Sequence, residues 1–125
     1  LNAEQKTLLW GTLRNRDITQ EALSVLRAPQ FDDLMLGELL NECQVVLRDI
    51  LKISTPKIDR MLDAALRAGA YGGKVNGSGG GGCMFAYAPK NPEVVAQAIE
   101  GAGGKAHIVQ IDVGTRNEPV AEMKN

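Results

Sequence analysis

Gly72-Gly73-Lys74-Val75-Asn76-Gly77-Ser78-Gly79-Gly80-Gly81-Gly82-Cys83 decides how this chain is read, because seven of the eleven positions from 72 to 82 are glycine. Glycine loses more backbone freedom on folding than any other residue. A glycine run within a folded chain therefore points to bare main chain approaching something closely or adopting positive φ. Successive N–H groups in such a loop form a concave nest suited to a phosphate. The flanks argue against a flexible Gly/Ser spacer, since Lys74-Val75-Asn76 enters and Cys83-Met84-Phe85-Ala86-Tyr87 leaves with no polar buffer. Gly77, Gly79 and Gly82 formally satisfy G-x-G-x-x-G, but that fingerprint needs a helix immediately afterwards and here a β-type run follows. No glycine is followed by Lys-Ser or Lys-Thr, so the Walker A pattern is excluded as well. What remains is a strand, glycine loop, strand unit facing an anionic ligand.

Outward from the loop, the apolar spacing reads mostly as helix. Leu8, Leu9 and Leu13 fit a first helix within Leu1 to Leu13. Ile18-Thr19 restarts a second, with Ala22, Val25 and Leu26 on one face and Pro29 closing it. Phe31, Leu34, Met35, Leu39, Cys43, Val46, Leu47 and Ile50 recur at spacings of three and four, a long amphipathic helix whose stripe is read as core, with Asp32 and Asp33 complementing its N-terminal dipole. Ser54-Thr55-Pro56 starts another helix, continued by Ile58, Met61, Leu62 and Ala65 and stopped by Gly69. Asn91-Pro92 opens a further helix carrying Val94, Val95, Ala98 and Ile99, which ends at Gly101 to Gly104. Lys105 to Asp112 reads as a last strand. The expected class is α+β, an antiparallel sheet with helices packed on one face.

The 125 residues form one domain, long enough to bury roughly two thirds of the unfolded surface. A net charge of -1 with scattered Lys and Arg lacks the footprint of a nucleic-acid or membrane-surface binder, and 4% aromatic residues argue against base stacking. Cys43 and Cys83 make no C-x-x-C pair, and with one histidine no zinc set is assembled. Both thiols read as reduced and the protein as cytoplasmic. The chain opens at Leu1, consistent with processing or with a piece of a longer protein.

The order of Asn41-Glu42, Ser54-Thr55-Pro56-Lys57-Ile58-Asp59, Gly69-Ala70 and the glycine run resembles the C-terminal domain of the GHMP kinases, a superfamily that takes its name from galactokinase, homoserine kinase, mevalonate kinase and phosphomevalonate kinase. The similarity runs from about Asn15 to Arg116, and the glycine run is similar to the family's third signature motif. The resemblance implies a ferredoxin-like sheet within a domain spanning residues 1–116. The polar segment 117–125 is read as a disordered tail. It implies phosphoryl transfer from ATP with Mg²⁺ to a small-molecule acceptor. Lys74, Asn76, Gly77, Ser78, Gly79, Gly80, Gly81 and Gly82 are then the ATP- and substrate-binding positions, acting by electrostatic positioning.

No catalytic residue and no metal ligand is assigned to this sequence. The family's other phosphate loop and its catalytic aspartate belong to an N-terminal domain, which is the expected partner, and this chain alone is expected to be inactive. Asn76 stands where members usually carry Ser or Thr, and Gln44 where many carry histidine, so Gln44 is read as structural. Gly80 stands where galactokinases often have phenylalanine and mevalonate kinases glycine, yet Leu47-Arg48-Asp49 is more similar to a sugar kinase. The leading expectation is a galactokinase-like kinase acting on a sugar. The alternatives are a mevalonate-type kinase domain and a non-catalytic ferredoxin-like ligand sensor. Ser78 lacks a G-x-S-x-G elbow and a partner base, Cys83 reads as a small hydrophobe opening a buried strand, and His107 as a rim or core histidine. Asp112 and Arg116 are read as finishing the last strand and its turn.

Overall fold

A computed structural model describes residues 1–77, 79–80 and 82–111. Its first element is one helix, α1 (Ala3–Arg27), where the sequence pattern suggested two. The side chain of Asn2 accepts from the Gln5 amide at 2.8 Å while Gln5 Oε1 accepts from the Asn2 amide at 3.0 Å, a reciprocal cap that starts the helix firmly. Nothing between Leu13 and Ile18 stops it. That stretch holds no Gly or Pro, and its polar residues find partners on the next helix: Arg14 pairs with Glu42 at 2.5 Å, and Asn15 accepts from the Cys43 thiol at 3.1 Å.

The amphipathic run that follows forms α2 (Asp33–Val45), capped by the Asp32 carboxylate on the Met35 amide at 3.1 Å. Only part of its stripe is core. Leu39, Cys43, Val46 and Leu47 are buried, whereas Phe31, Leu34 and Met35 are exposed. Beyond Val45 the ladder widens into a π-helical turn (Val46–Ile50), where Leu51 N–H reaches back to the Val46 carbonyl at 3.0 Å. Lys52, at φ 56, then turns the chain out of the helix.

Thr55 caps α3 (Pro56–Arg67), its hydroxyl accepting from the Ile58 amide at 3.3 Å, and proline occupies the first turn. The helix closes as a Schellman motif. Gly69 takes φ 111, its amide bonds the Leu66 carbonyl at 3.1 Å, and the Ala70 amide bonds the Ala65 carbonyl at 3.0 Å. Strands β1 (Gly72–Asn76) and β2 (Cys83–Tyr87) then pair antiparallel, Gly72 opposite Tyr87 and Asn76 opposite Cys83. The last helix is α4 (Pro92–Gly101).

Among the described residues the sheet has two strands, and Lys105 to Ile111 run without strand pairing, contrary to the last strand expected there. Their apolar alternation has no ladder partner, so Val109 and Ile111 stand 84% and 94% exposed. Asp112, Arg116 and the expected tail 117–125 lie outside the described residues. The α+β class holds. Val75 on β1 is fully buried together with Ile58, Met61 and Leu62 of α3 and Leu39, Cys43, Val46 and Leu47 from α2 and its π-helical extension. Close approach of α2 to β1 depends on two glycines. A Cβ on Gly37 would lie 2.7 Å from the Tyr71 Cβ, and one on Gly72 would lie 2.7 Å from the Gly37 Cα. None of the helices described is long and apolar enough to cross a membrane.

Candidate functional site: the glycine loop and its supports

The loop between β1 and β2 rests on the segment that ends the π-helical turn. Gly77, Gly79 and Gly80 all adopt positive φ, 75°, 79° and 75°, as the composition of the run led one to expect. Gly79 lies flat on Ile53, where an added Cβ would run into the Ile53 carbonyl and stand 2.7 Å from its Cβ. The Gly80 amide donates to that same carbonyl at 2.8 Å, and the Ile53 amide in turn donates to Leu47 at 2.9 Å. One of the amides expected to point at a guest is thus spent inward on the protein. At Gly77 and Gly80 a Cβ would meet nothing within 4 Å, so main chain there borders open space.

The remaining expected positions divide. Lys74 is half-buried, its ammonium donating to the Val75 carbonyl at 2.7 Å and standing 5.6 Å from the centre of the Phe85 ring. This holds it along the strand pair. Asn76 and Gly82 are exposed at the two feet of the loop. Ser78 and Gly81 fall outside the described residues. Cys83 is exposed, not the opening of a buried strand, because β2 turns that side chain away from the face on which Met84 packs against the core. His107 is exposed on the wall of an apolar groove of about 1080 Å³ that runs along β2 and is shared by Phe31, Met61 and Val95.

Two residues that the pattern left outside the site organise it from below. On α2, Asn41 Oδ1 accepts from the Gly73 amide at 3.1 Å and its Nδ2 donates to the Tyr71 carbonyl at 3.3 Å. One turn on, Gln44 Oε1 accepts from the Val75 amide at 2.8 Å, while its Nε2 donates to Ser54 Oγ at 3.1 Å. Ser54 Oγ donates to Asp59 Oδ1 at 2.7 Å. Gln44 is only 6% exposed, and among the described residues every buried side-chain nitrogen or oxygen has a partner. The available signal was a pair of amides at i and i+3 within an otherwise apolar helix face, which calls for backbone partners. At the far end of the hairpin, the Tyr87 hydroxyl donates to Asp33. Burial first, then that hydrogen bond, push the Tyr87 phenol up to about 12. Among the described residues no group of three His, Cys, Asp or Glu side chains could hold a metal ion.

These features define a helical scaffold that carries a glycine-rich hairpin at its surface. Residues 22–105 match the family described as GHMP kinases C terminal, and the chain belongs to that family. It is 44% identical over 100 residues to a mevalonate kinase of Thermococcus onnurineus, a match covering 70% of this chain and 30% of the relative. A mevalonate kinase of Pyrococcus abyssi is 48% identical over 90 residues, covering 71% of this chain and 27% of the relative. A galactokinase of Actinobacillus succinogenes is 39% identical over 93 residues, covering 69% and 24%. The chain therefore spans less than a third of the length of the curated relatives it matches. The higher identities fall to mevalonate kinases, so the galactokinase-like expectation gives way to its mevalonate-type alternative.

Proposed function

We propose that this chain is the C-terminal domain of an ATP-dependent small-molecule kinase of the mevalonate type, and that its glycine loop shapes the cleft where phosphate and acceptor meet. The similarity to mevalonate kinases at 44% and 48% identity carries this reading. Gly80 agrees with it, since the resembled mevalonate kinases often have glycine there. The sugar-kinase reading rests on Leu47-Arg48-Asp49, which sit in the π-helical turn, with Arg48 engaged by Asp49 at 2.8 Å. The ferredoxin-like sheet implied by the family needs strands beyond the two found among the described residues.

The residues present suit the anionic side of a nucleotide. Gly77, Gly79 and Gly80 hold positive φ, and the space beside Gly77 and Gly80 is open to a guest. Bound ATP would supply the transferable phosphoryl group. The part of this chain is to position it: main-chain N–H groups of residues 77–82 other than the inward-turned Gly80 amide, with the Asn76 carboxamide and the Lys74 ammonium beside them. Such preorganised donors stabilise developing charge without reorganising at the moment of reaction. No ligand for Mg²⁺ is assigned to this chain. Catalysis is attributed to residues outside it, and the isolated chain is expected to be inactive.

The test is ATP turnover by the full-length protein that carries this sequence, with mevalonate and galactose as competing acceptors. Phosphorylation of mevalonate, with galactose at least a hundredfold poorer in kcat/KM, is expected. Preference for galactose would restore the sugar-kinase reading. ATP or metabolite binding with no transfer to any acceptor would favour a sensor.

A further inference from the structure

Gln44 touches both supports of the glycine loop at once. Its carboxamide oxygen receives the Val75 amide, one residue before Asn76 and two before the loop begins. Its nitrogen reaches Ser54, the residue after Ile53, whose carbonyl holds Gly80 at 2.8 Å. The orientation of this amide is dictated and not free. Ser54 gives its single hydroxyl proton to the Asp59 carboxylate, so toward Gln44 it can only accept, which turns the NH₂ toward Ser54 and the oxygen toward Val75. Carboxylate, hydroxyl and carboxamide thus form a directional relay from α3 through α2 to β1. A planar amide keeps its oxygen and nitrogen a fixed distance apart, so the relay sets the entering strand against the Ile53 shelf beneath the apex.

We propose that Gln44, acting with Ser54 and Asp59, is a positioning residue that holds the glycine loop in register at the ligand cleft. This rests on the kinase reading above. The relay touches no part of the loop apex directly and acts through Val75 and Ile53. Its loss should leave the helices in place and loosen residues 77–82 selectively.

The experiment compares the full-length protein with its Gln44→Met and Ser54→Ala variants. Gln44→Met keeps the length of the side chain but removes both hydrogen bonds; Ser54→Ala is the milder change should the first fail to fold. Amide hydrogen exchange is followed by mass spectrometry in peptides covering 77–82 and 92–101, and kcat and KM are measured with ATP as the varied substrate. Exchange across 77–82 should quicken by about tenfold or more, the weight of at least one lost hydrogen bond, with 92–101 unchanged. kcat/KM for ATP should fall on the order of tenfold in Ser54→Ala, and further in Gln44→Met. Equal acceleration in both peptides would reduce Gln44 to a general stabiliser and overturn the proposal, as would unchanged exchange in 77–82. Selective loosening with unchanged kcat/KM would overturn it too. A wild-type protein that transfers no phosphate would instead defeat the kinase reading, and the exchange comparison would still decide whether the relay holds the loop.

Discussion

Replacing Gly37 by alanine tests the contact that brings α2 against the start of β1. In an exposed helix, glycine to alanine stabilises by about 1 kcal/mol through backbone entropy. Here the new methyl would lie 2.6 Å from the Tyr71 carbonyl carbon and 2.7 Å from the Tyr71 Cβ. Neither obstacle is the far end of a flexible side chain. Tyr71 is fixed by the hydrogen bond its backbone N–H donates to the Tyr87 carbonyl at 2.8 Å, and Asn41 Nδ2 donates to its carbonyl. Overpacking of a well-filled contact costs typically 1–3 kcal/mol, and the rigid main chain places this case at the upper end. After subtraction of the propensity gain, a net destabilisation of about 2 kcal/mol is expected. Gly101, the last residue of α4, is the matched control, since a Cβ there meets nothing within 4 Å and alanine should be neutral or slightly stabilising. Urea unfolding followed by circular dichroism should lower the midpoint by roughly 1 M for Gly37→Ala and leave Gly101→Ala at or above wild type. If both variants shift together in either direction, the packing of α2 on β1 is not the backbone-to-backbone contact described.

Thr55→Ala removes the cap of α3 and should cost about 1 kcal/mol in the same unfolding assay, with Thr55→Ser restoring most of it. Tyr87 makes stability fall at alkaline pH. Its phenol lies at about 12 in the folded chain against 10.0 for a free tyrosine, so between those values the native state retains a proton that the unfolded chain releases. Stability should therefore be undiminished by this group below pH 10 and decline toward pH 12, a slope that Tyr87→Phe abolishes. A maleimide should label the exposed Cys83 rapidly in the native protein. It should reach Cys43 only on unfolding, because that thiol is buried, donates to Asn15, and has its pKa raised by burial.

Short-range chemistry was the legible part of this chain. Thr55-Pro56, Gly69 and Asn91-Pro92 placed the ends of α3 and the start of α4 because caps and stops are local, and the glycine run placed the hairpin through the φ values it requires. The break imagined between Leu13 and Ile18 was illegible for the opposite reason. What carries α1 through it is a set of contacts to Glu42 and Cys43, nearly thirty residues away. The last strand failed similarly, since alternation shows that a segment could pair but not that a partner edge lies beside it. At the candidate site the glycine run called for close approach or positive φ as a whole, and Gly77, Gly79 and Gly80 take positive φ, yet the inward turn of the Gly80 amide depends on Ile53, which no motif marks. Gln44 is read as structural because it stands where many members of the resembled family carry histidine. Its bridging of β1 to Ser54 emerges only once three distant segments meet.

Asn41 and Gln44 have a consequence for association. The outward amides of Gly73 and Val75 form one margin of the sheet, and α2 has already claimed them with side-chain oxygens. A foreign strand arriving there would find its donors occupied and a helix in its path, so templated aggregation cannot propagate from that side. By finishing that hem with carboxamides, the fold confines any sheet extension to the opposite selvedge, along β2.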